Sequence, residues 1–398
     1  MSKWEMVELG RICEITSSKR IFEKEYIEQG IPFYRTKEVV ELSKGHKIST
    51  ELFISEDRYK EINKKFGVPV KEDILITAVG TIGETWVIPN EDKFYFKDGN
   101  LIWIKKNERI DSNYLSYFLK YNIKYQKDSM TNGSAYKALT IVKLKKILIP
   151  LPTIEIQKHI TETLDKVSEI IDLHKKRLEE LDNLIKTTFY DMFGDPYINE
   201  KHWKVLKLGD TLSVLTDYHS NGSYKTLRDN VKLLDTPDYA LMIRTTDLEK
   251  ENFSDDVKYI SKHAYEHLEK SKVFGGEIII NKIGSAGKVY LMPYLNRPVS
   301  LAMNQFLLRF DNVNEIYAYY YLTTEYSTKN INDKVRGAVT KTITKDAIRD
   351  IIFVLPPIEL QNKFAQIVTK IEEQKNLEKQ AISESENLFN SLMSKYFD

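Results

Sequence analysis

One pair of histidines in this sequence has the spacing of a zinc site. His263 and His267, with Glu266 before the second, form the H-x-x-E-H pattern of inverted zinc proteases. Histidines four residues apart on a helix could share one face around a metal ion. An otherwise similar stretch at residues 57–61 keeps a tyrosine but has no histidine, and no distinctive third ligand follows the pattern. We therefore interpret the pattern as a solvated helix face and expect no metal.

A second pattern is the carboxylate–carboxylate–lysine arrangement of magnesium nucleases. Asp238, Asp256 and Lys258 fit it loosely: two carboxylates would hold the ion and the lysine would help position the attacking water. Such a pattern arises by chance in most charged chains of this length.

The sequence has no Walker A loop, no G-x-G-x-x-G and no Asn/Asp-Pro-Pro-Tyr/Phe tetrapeptide of the amino-methyltransferase kind. Cys13 has no evident base partner and is expected to be a packed small hydrophobe. We predict no catalytic centre in this chain.

Length and composition indicate a soluble protein of two or more domains. The chain has 398 residues, of which 42% are hydrophobic and 29% charged, which excludes wholesale disorder. With one cysteine no disulfide can form within the chain, and a reducing compartment is expected. The opening Met-Ser-Lys-Trp-Glu-Met has no apolar run behind it, and no stretch approaches the ~18 apolar residues of a membrane span. We expect a cytoplasmic protein that does not enter the membrane.

The net charge of +1 neither requires nor excludes a nucleic-acid partner. Its distribution is uneven: residues 1–153 carry +5, 154–192 carry −3, 193–357 carry +1 and 358–398 carry −2. The positive charge thus lies in the two larger segments, which permits DNA contact through local patches.

The strongest signal is internal duplication. Six stretches recur in the same order, most of them 204 residues later in the chain. Residues 4–10 recur as 203–209, 35–39 as 244–248, 79–83 as 283–287, Asn100 as Asn304, 133–140 as 337–344, and 151–157 as 355–361. Each copy mixes short apolar strands with glycine turns and helices, and then enters a long helix. The predicted fold class is α+β, with globular domains at 1–150 and 194–354 and long helices at 151–193 and 355–398. We predict strands at 73–77, 101–104, 277–280 and 306–310, and helices at 55–65 and 261–271 that open on Ser N-caps.

Apolar residues at steps of three and four give each long helix a heptad seam. The residues expected to pack the helix pair are Ile160, Leu164, Val167, Ile171, Leu178, Leu181, Ile185, Phe364, Val368, Ile371, Ile382 and Phe389. The first seam continues to Met192 and the second to Leu392 and Tyr396, whereas Lys375, Glu378 and Ser385 make the middle of the second polar. A run of ~38 residues gives a rod of ~57 Å. An antiparallel pair would join the two domains with a pseudo-twofold axis; independent helical hairpins or partner-binding helices are the alternative.

The duplicated motifs resemble type I restriction–modification specificity subunits over essentially the whole chain. They are a Trp-x-x-x-x-Leu-Gly opening, a strand followed by a Gly-x-x-Gly turn, and a Leu-Pro-x-Ile/Leu-Glu-x-Gln entry to a long helix. The resemblance implies two target-recognition domains that each read one half of a split double-stranded DNA sequence. It implies that the helices set the spacing and dock two modification subunits with S-adenosylmethionine chemistry, which ATP- and Mg-dependent motor-nuclease subunits join for restriction. The two copies differ outside the motifs, so an asymmetric target is expected.

Sequence readout requires side chains that present donors and acceptors to base edges, and Lys, Arg and small polar groups on phosphates. The candidate DNA-binding residues are Lys19, Arg20, Arg35, Lys37, Ser134, Tyr136 and Lys137 in the first domain, and Tyr224, Lys225, Arg228, Arg244, Thr245, Lys282, Arg336 and Lys341 in the second. The residues that recur in both copies favour a shared role such as phosphate contact. The loops at about 17–26 and 217–231 do not recur and are better candidates for base reading. The competing hypothesis is a coiled-coil scaffold that binds proteins and no DNA.

Overall fold

The computed structural model describes residues 4–48, 50–129 and 139–398, and for 124–129 it describes the backbone alone. None of the helices in these ranges is both long enough and apolar enough to cross a membrane.

The chain folds into two compact units. Unit 1 comprises Met1–Lys176 and Lys379–Asp398, and unit 2 comprises Arg177–Glu378. Each unit therefore combines one globular part with one half of each long helix. The predicted domain boundaries at 150/151 and 354/355 fall a few residues before the two long helices begin, and they stay predictions.

Unit 1 begins with a series of short elements that leads into the first long helix. In chain order they are β1 (Met6–Glu8), α1 (Leu9–Ile12), β2 (Ile15–Thr16), β3 (Ile31–Tyr34), α2 (Thr36–Ser43), β4 (Phe53–Ile54), α3 (Glu56–Phe66), β5 (Ile74–Thr77), β6 (Thr85–Val87), β7 (Tyr95–Phe96), β8 (Leu101–Ile104), α4 (Ser112–Ser129), α5 (Ile141–Lys145), β9 (Leu148–Pro150) and α6 (Ile154–Phe193). The strands form an antiparallel sheet in the order β2-β8-β5-β6, a sheet β4-β3-β7 in which β3 and β7 run parallel, and the antiparallel pair β1-β9.

The four-stranded sheet of unit 1 is covered on both faces, which explains the unbroken apolar run of β5. Successive side chains of a strand point to opposite faces. Ile74 and Ile76 join the core formed with α4 and the long helices, whereas Leu75 joins a second core with Phe96 and Trp103. A strand covered on both faces is apolar at every position, as this sequence is.

Unit 2 has a similar order of elements, with some added and with different lengths. It contains the end of α6, then β10 (Lys204–Lys207), β11 (Leu212–Asp217), α7 (Tyr224–Asn230), β12 (Ala240–Ile243), α8 (Thr245–Glu249), β13 (Lys258–Ile260), α9 (Lys262–His267), β14 (Lys272–Val273), β15 (Ile278–Asn281), β16 (Val289–Leu291), β17 (Val299–Leu301), β18 (Gln305–Phe310), α10 (Glu315–Leu322), α11 (Glu325–Asn332), α12 (Lys345–Arg349), β19 (Ile352–Leu355) and the first half of α13 (Ile358–Phe397). The sheets are β11-β18-β15-β16, β13-β12-β17-β14 with β12 and β17 parallel, and the pair β10-β19.

The predicted α+β fold class is confirmed, and the four predicted strands lie within one residue of β5, β8, β15 and β18. The Ser55 and Ser261 hydroxyls accept the backbone N–H of Arg58 and Ala264, as N-caps do. The helix predicted to run to residue 271 was too long, because α9 ends at His267 and a 3-10 turn follows.

Two glycines of the repeated motifs are required by close packing. A Cβ on Gly10 would lie 2.8 Å from Cβ of Lys145, and a Cβ on Gly209 would lie 2.9 Å from Cβ of Arg349. Real Cβ atoms do not approach so closely, so the Leu-Gly dipeptide recurs because the same backbone approach recurs in each unit.

The repeated glutamine at the entrance of each long helix is a buried hydrogen-bonding hub. The Gln157 side chain donates to the Pro152 carbonyl at 2.8 Å and accepts the backbone N–H of Asp111 at 2.8 Å. Gln361 does the same with Pro356 at 2.8 Å and Asn314 at 3.0 Å. Both side chains satisfy backbone groups that burial would otherwise leave unpaired, which explains why the motif ends in glutamine.

The two long helices pack antiparallel within each unit. In unit 2, Phe193 near the end of α6 lies 5.3 Å (ring centroids) from Phe364 near the start of α13, and farther along Asp182 meets Lys375. In unit 1, Lys175 pairs with Glu386 at 3.1 Å. Residue numbers fall along α6 as they rise along α13, so the predicted antiparallel pair replaces the alternative of independent helices.

The predicted packing residues are all removed from solvent, to different degrees. Ile160, Leu164, Val167, Ile171, Ile185, Phe364, Val368 and Ile371 are buried, and Leu178, Leu181, Ile382 and Phe389 are partly buried. At the helix ends Phe193, Met393 and Phe397 are the most buried residues, whereas the predicted Met192, Leu392 and Tyr396 are partly buried and pack against the same cores. A straight α-helix drifts from a 3.5-residue repeat, so its buried stripe turns toward the adjoining globular part.

The polar residues in the middle of the second seam are paired across the helices. The Lys375 ammonium is largely buried and lies 2.6 Å from an Asp182 carboxylate oxygen and 2.8 Å from one of Glu372. Burial alone would lower the pKa of Lys375, but the hydrogen bonds that it donates to Asp182 and Glu372 raise the pKa above its usual value. Arg177 pairs with Glu378 at 3.2 Å. The seam therefore continues through its polar segment with its charges matched.

A pair of glycine substitutions tests the close packing in unit 2. Gly287→Ala should lower the free energy of unfolding by about 3 kcal/mol, because Gly287 has a φ of +87° and its new methyl group would lie 2.6 Å from Cγ2 of Ile331. Gly284→Ala is the matched control, since Gly284 has a φ of +85° and open space within 4 Å; it should cost about 1 kcal/mol. Urea denaturation of both variants measures the difference, and equal losses would contradict the packing argument.

Candidate nucleic-acid interface

Four segments of unit 2, three of them mainly loops and one containing α8, meet next to the ends of β11, β12 and β15. We call these residues, 217–221, 244–249, 281–288 and 336–345, the loop cluster. The Thr245 hydroxyl donates to Asn281 at 3.3 Å, and the Gly284 N–H donates to the Lys341 carbonyl at 3.1 Å. Five of the predicted DNA-binding residues, Arg244, Thr245, Lys282, Arg336 and Lys341, are thereby brought together.

The centre of the loop cluster is a buried carboxylate with two lysines. The Lys282 ammonium lies 3.0 Å from Oδ2 of Asp217, and the Lys345 ammonium lies 2.9 Å from Oδ1. Burial alone would raise the pKa of Asp217, but hydrogen bonds from Ser220, Lys345 and Lys282 lower it to about 2. Two cations around one anion leave a net positive charge, and both lysine side chains stay about 30% exposed.

Arg244 and its counterpart Arg35 in unit 1 have a structural task. Each precedes a helix and binds a buried carboxylate in that helix's first turn: Arg35 lies 2.6 Å from Glu38, and Arg244 lies 2.7 Å from Asp247. The same carboxylates accept the arginines' own backbone N–H groups at 2.8 Å. We call this arrangement of an arginine and a first-turn carboxylate the arginine–carboxylate box. It explains why the arginine recurs without requiring a DNA contact, and a DNA contact by either guanidinium stays a prediction.

The remaining polar candidates of the loop cluster differ in exposure. The exposed Arg336 guanidinium donates to the Asp333 carbonyl at 2.7 Å, just beyond α11. Lys341 is exposed and lines a cavity of about 760 Å³ together with the Gly284–Lys288 segment. Lys341 is therefore the candidate of this group that is most open to a ligand.

Helix α7 carries the three remaining candidates of unit 2. Tyr224, Lys225 and Arg228 are exposed on it, and the Ser223 hydroxyl caps its first turn by accepting the Thr226 N–H. Residues 217–221 of the loop cluster lie directly before α7, and among them the Ser220 hydroxyl lies 2.9 Å from the Lys345 ammonium. All eight candidates of unit 2 thus lie on the loop cluster or on the helix that follows its first loop.

The described candidates of unit 1 form two pairs, Lys19 with Arg20 and Arg35 with Lys37. Arg20 pairs with Asp98 at 2.9 Å, and the Lys19 ammonium lies 4.5 Å from the centroid of the Phe66 ring. Lys37 and Arg35 both approach Glu51, at 3.7 and 2.9 Å. Ser134, Tyr136 and Lys137 lie outside the described residues, so their predicted role stays open.

The zinc-like and nuclease-like residues bind different neighbours in the folded chain. His263 contacts Asn230 at 3.0 Å through Nε2, and the described part of the chain holds no group of three or more metal-ligating side chains. Lys258 pairs with Asp235 and not with the two carboxylates of the nuclease-like pattern. Burial raises the pKa of the Cys13 thiol to about 12, so it stays protonated at neutral pH.

Two functional candidates were missed by the sequence reasoning, Asp217 and Lys345. Asp217 is the last residue of β11, but one carboxylate among 58 acidic residues gave no separate signal. Lys345 lies 128 residues away from it and opens α12. Only the fold brings the two side chains into contact.

The chain matches the family model described as "Type I restriction modification DNA specificity domain" twice, over residues 1–183 and 200–387. A putative type I restriction enzyme specificity subunit from Haemophilus influenzae, S.HindORF215P, is 34% identical over 163 residues, which span 40% of this chain and 39% of that protein. The putative type I restriction enzyme MjaX specificity subunit from Methanocaldococcus jannaschii is 24% identical over 98% of this chain and 92% of its own length. The crystal structure of the type I restriction–modification S subunit from M. genitalium has a similar fold, with a TM-score of 0.55 at 16% identity over 100% of this chain and 96% of that one.

The buried carboxylate of the loop cluster predicts a pH-dependent stability. The folded-state pKa of Asp217 is about 2, below its ordinary value of 3.8, so its charged form stabilises the fold above about pH 4 and this contribution is lost as the pH falls toward 2. Asp217→Asn should lower the free energy of unfolding at pH 7, and its deficit relative to the unaltered chain should shrink by about 2 kcal/mol between pH 5 and pH 2.

The matched control for that measurement is Asp350→Asn. Asp350 also pairs with a lysine, Lys207 at 2.6 Å, but its side chain is 51% exposed, and exposed ion pairs contribute little. Urea titrations at a series of pH values compare the two variants. A deficit of Asp217→Asn that does not change with pH would contradict a stabilising buried charge.

Proposed function

Since this chain belongs to the type I restriction–modification DNA specificity family, we propose that its two units read the two different halves of one asymmetric, bipartite double-stranded DNA target. The long helices hold the two readers at a set spacing and dock two modification (methyltransferase) subunits. The chain itself carries out no catalytic step. S-adenosylmethionine, ATP and Mg serve the partner modification and motor-nuclease subunits, and the complex acts in the cytoplasm.

The observation that carries this proposal is one scaffold built twice with different loops in corresponding places. The glycine contacts, the helix-entry glutamines and the arginine–carboxylate boxes recur in both units. The loops at 17–26 and 217–231 do not recur, and both follow the first strand of a four-stranded sheet. A repeated framework with different loops suits two domains that recognise different DNA sequences.

The cations of the loop cluster support contact with the DNA backbone. Lys282 and Lys345 are fixed by Asp217 and Ser220, so little side-chain freedom would be lost when they meet a phosphate. Lys341 offers an exposed ammonium on the neighbouring loop. Phosphate contacts of this kind position a protein on the duplex and leave base discrimination to other side chains.

The docking of two partner subunits is supported by apolar side chains that the helix pair leaves exposed. In unit 2, Leu184 and Leu377 are 50% and 64% exposed and line one groove of about 530 Å³. In unit 1, Leu173 and Leu388 are 54% and 51% exposed. These leucines correspond at the repeat offset of 204, so each unit presents an equivalent apolar pair. Two equivalent surfaces suit two copies of one partner.

Methylation mapping tests the proposed function. DNA from cells that carry this chain with its modification subunit should contain a split, asymmetric N6-methyladenine motif, which deletion of the gene should remove. Replacing residues 17–26 with the corresponding loop of a relative should change one half of the motif, and replacing 217–231 should change the other half. A motif that persists after deletion would refute the proposal, and the absence of any motif would favour the protein-binding scaffold.

A second experiment tests the docking surface. The double substitution Leu184→Ser with Leu377→Ser should weaken binding of one modification subunit by at least about tenfold, because two apolar side chains would lose their burial on docking. The pair Leu173→Ser with Leu388→Ser should do the same for the other subunit. Leu148→Ser is the control, since Leu148 is also 51% exposed but lies on β9. Subunit stoichiometry by native mass spectrometry measures the effect, and full occupancy in both double variants would rule out these surfaces.

A further inference from the structure

An apolar cavity lies beside the loop cluster of unit 2. It has a volume of about 240 Å³ and lies between α7 and the residues that follow β17. Leu227 and Met242 are 2% exposed and form its floor, whereas Tyr224 and Met303, 75% and 47% exposed, lie at its rim. The cavity therefore combines a rigid apolar base with side chains that a ligand could contact.

Cationic side chains lie on the elements that line this cavity. Arg228 is one of its lining residues and pairs with the exposed Asp229 at 3.1 Å, and the exposed Lys225 lies on the same helix. The segment of Tyr218 and His219, which also lines the cavity, is held next to Lys282 and Lys345 through Asp217 and Ser220. An apolar cavity within a basic surface complements a polyanion that carries an apolar group among its polar ones.

The corresponding place in unit 1 has the opposite chemistry. The β3–β7 pair of unit 1 matches the β12–β17 pair of unit 2, since both are the parallel strand pairs of their sheets. In unit 1 the non-repeating loop approaches the second residue after β7 through an ion pair, Arg20 to Asp98 at 2.9 Å. In unit 2 the residues after the strand end are Ala302 and Met303, which line the apolar cavity. The framework is shared here, and what differs is the polarity of the contact surface.

We infer that this cavity reads a thymine of the DNA target by its 5-methyl group in the major groove, with Tyr224 and Met303 as specificity-determining residues. The inference rests on the proposed DNA-reading function and adds the chemistry of one contact. Of the four bases only thymine presents a methyl group in the major groove. A donor or acceptor of another base placed against Leu227 and Met242 would lose its water without a replacement hydrogen bond, which disfavours that base.

The test uses the full chain assembled with its modification subunits and the target found by methylation mapping. Each thymidine of a target duplex is replaced in turn by deoxyuridine, which removes the methyl group and keeps the base-pairing edge. We expect one position at which the replacement weakens binding about fourfold at constant salt, the effect of one buried group of methyl size. In Tyr224→Ser and Met303→Ser complexes, thymidine and deoxyuridine duplexes should bind equally well at that position.

Tyr294→Ser is the matched control. Tyr294 is 75% exposed like Tyr224, but it precedes β17 whereas Met303 follows it; this variant should keep the fourfold preference. A target in which no thymine methyl affects binding, or a preference that survives in both cavity variants, would overturn the inference. If the unaltered complex methylates no motif at all, the proposed function itself fails, so the two failures are distinguishable. Equal urea midpoints of the three variants would exclude misfolding as the cause of a lost thymidine preference.

Discussion

The fold depends on the burial of the apolar stripes of two 40-residue helices. A single amphipathic helix of this length cannot leave its stripe in water, and neither globular part covers it alone. In each unit one half of α6, one half of α13 and a globular part share one core: Ile160, Leu164, Met393 and Phe397 in unit 1, and Ile185, Phe189, Phe364 and Val368 in unit 2. Each globular part is therefore anchored on both helices, and it cannot shift along them without unpacking its core.

Several of the charges buried in this framework are matched by an opposite charge. Lys375 in the helix seam, Asp217 in the loop cluster, and Glu38 and Asp247 at the helix starts all lie within 3.0 Å of an opposite charge. Removing one partner of such a pair would leave an uncompensated charge, which is far more costly than replacing both. The pairs therefore fix the geometry of the loops and the register of the helices more than they add net stability.

The duplication separates framework from specificity. Features present in both units, such as the glutamine hubs, the glycine contacts and the arginine boxes, serve structural roles within each unit. Features that the described residues show in unit 2, such as the Asp217 cluster and the apolar cavity, lie on the non-repeating loop and its neighbours. A sequence-specific reader needs this division, because the framework must hold the loops still while the loops differ between targets.

The sequence by itself determined the duplication, the α+β class and the central strands β5, β8, β15 and β18, and it favoured the antiparallel helix pair. These features follow from apolar periodicity and from motifs that recur in order. The tertiary structure decided which candidates share a surface. Lys282 and Lys345 are 63 residues apart in the chain and meet only because both bind Asp217. It also showed that Arg35 and Arg244 recur because each binds a carboxylate in the first turn of a helix. The most buried residues at the helix ends are Phe193, Met393 and Phe397. Local periodicity specifies elements, whereas a site arises from long-range contacts, which no single stretch of sequence encodes.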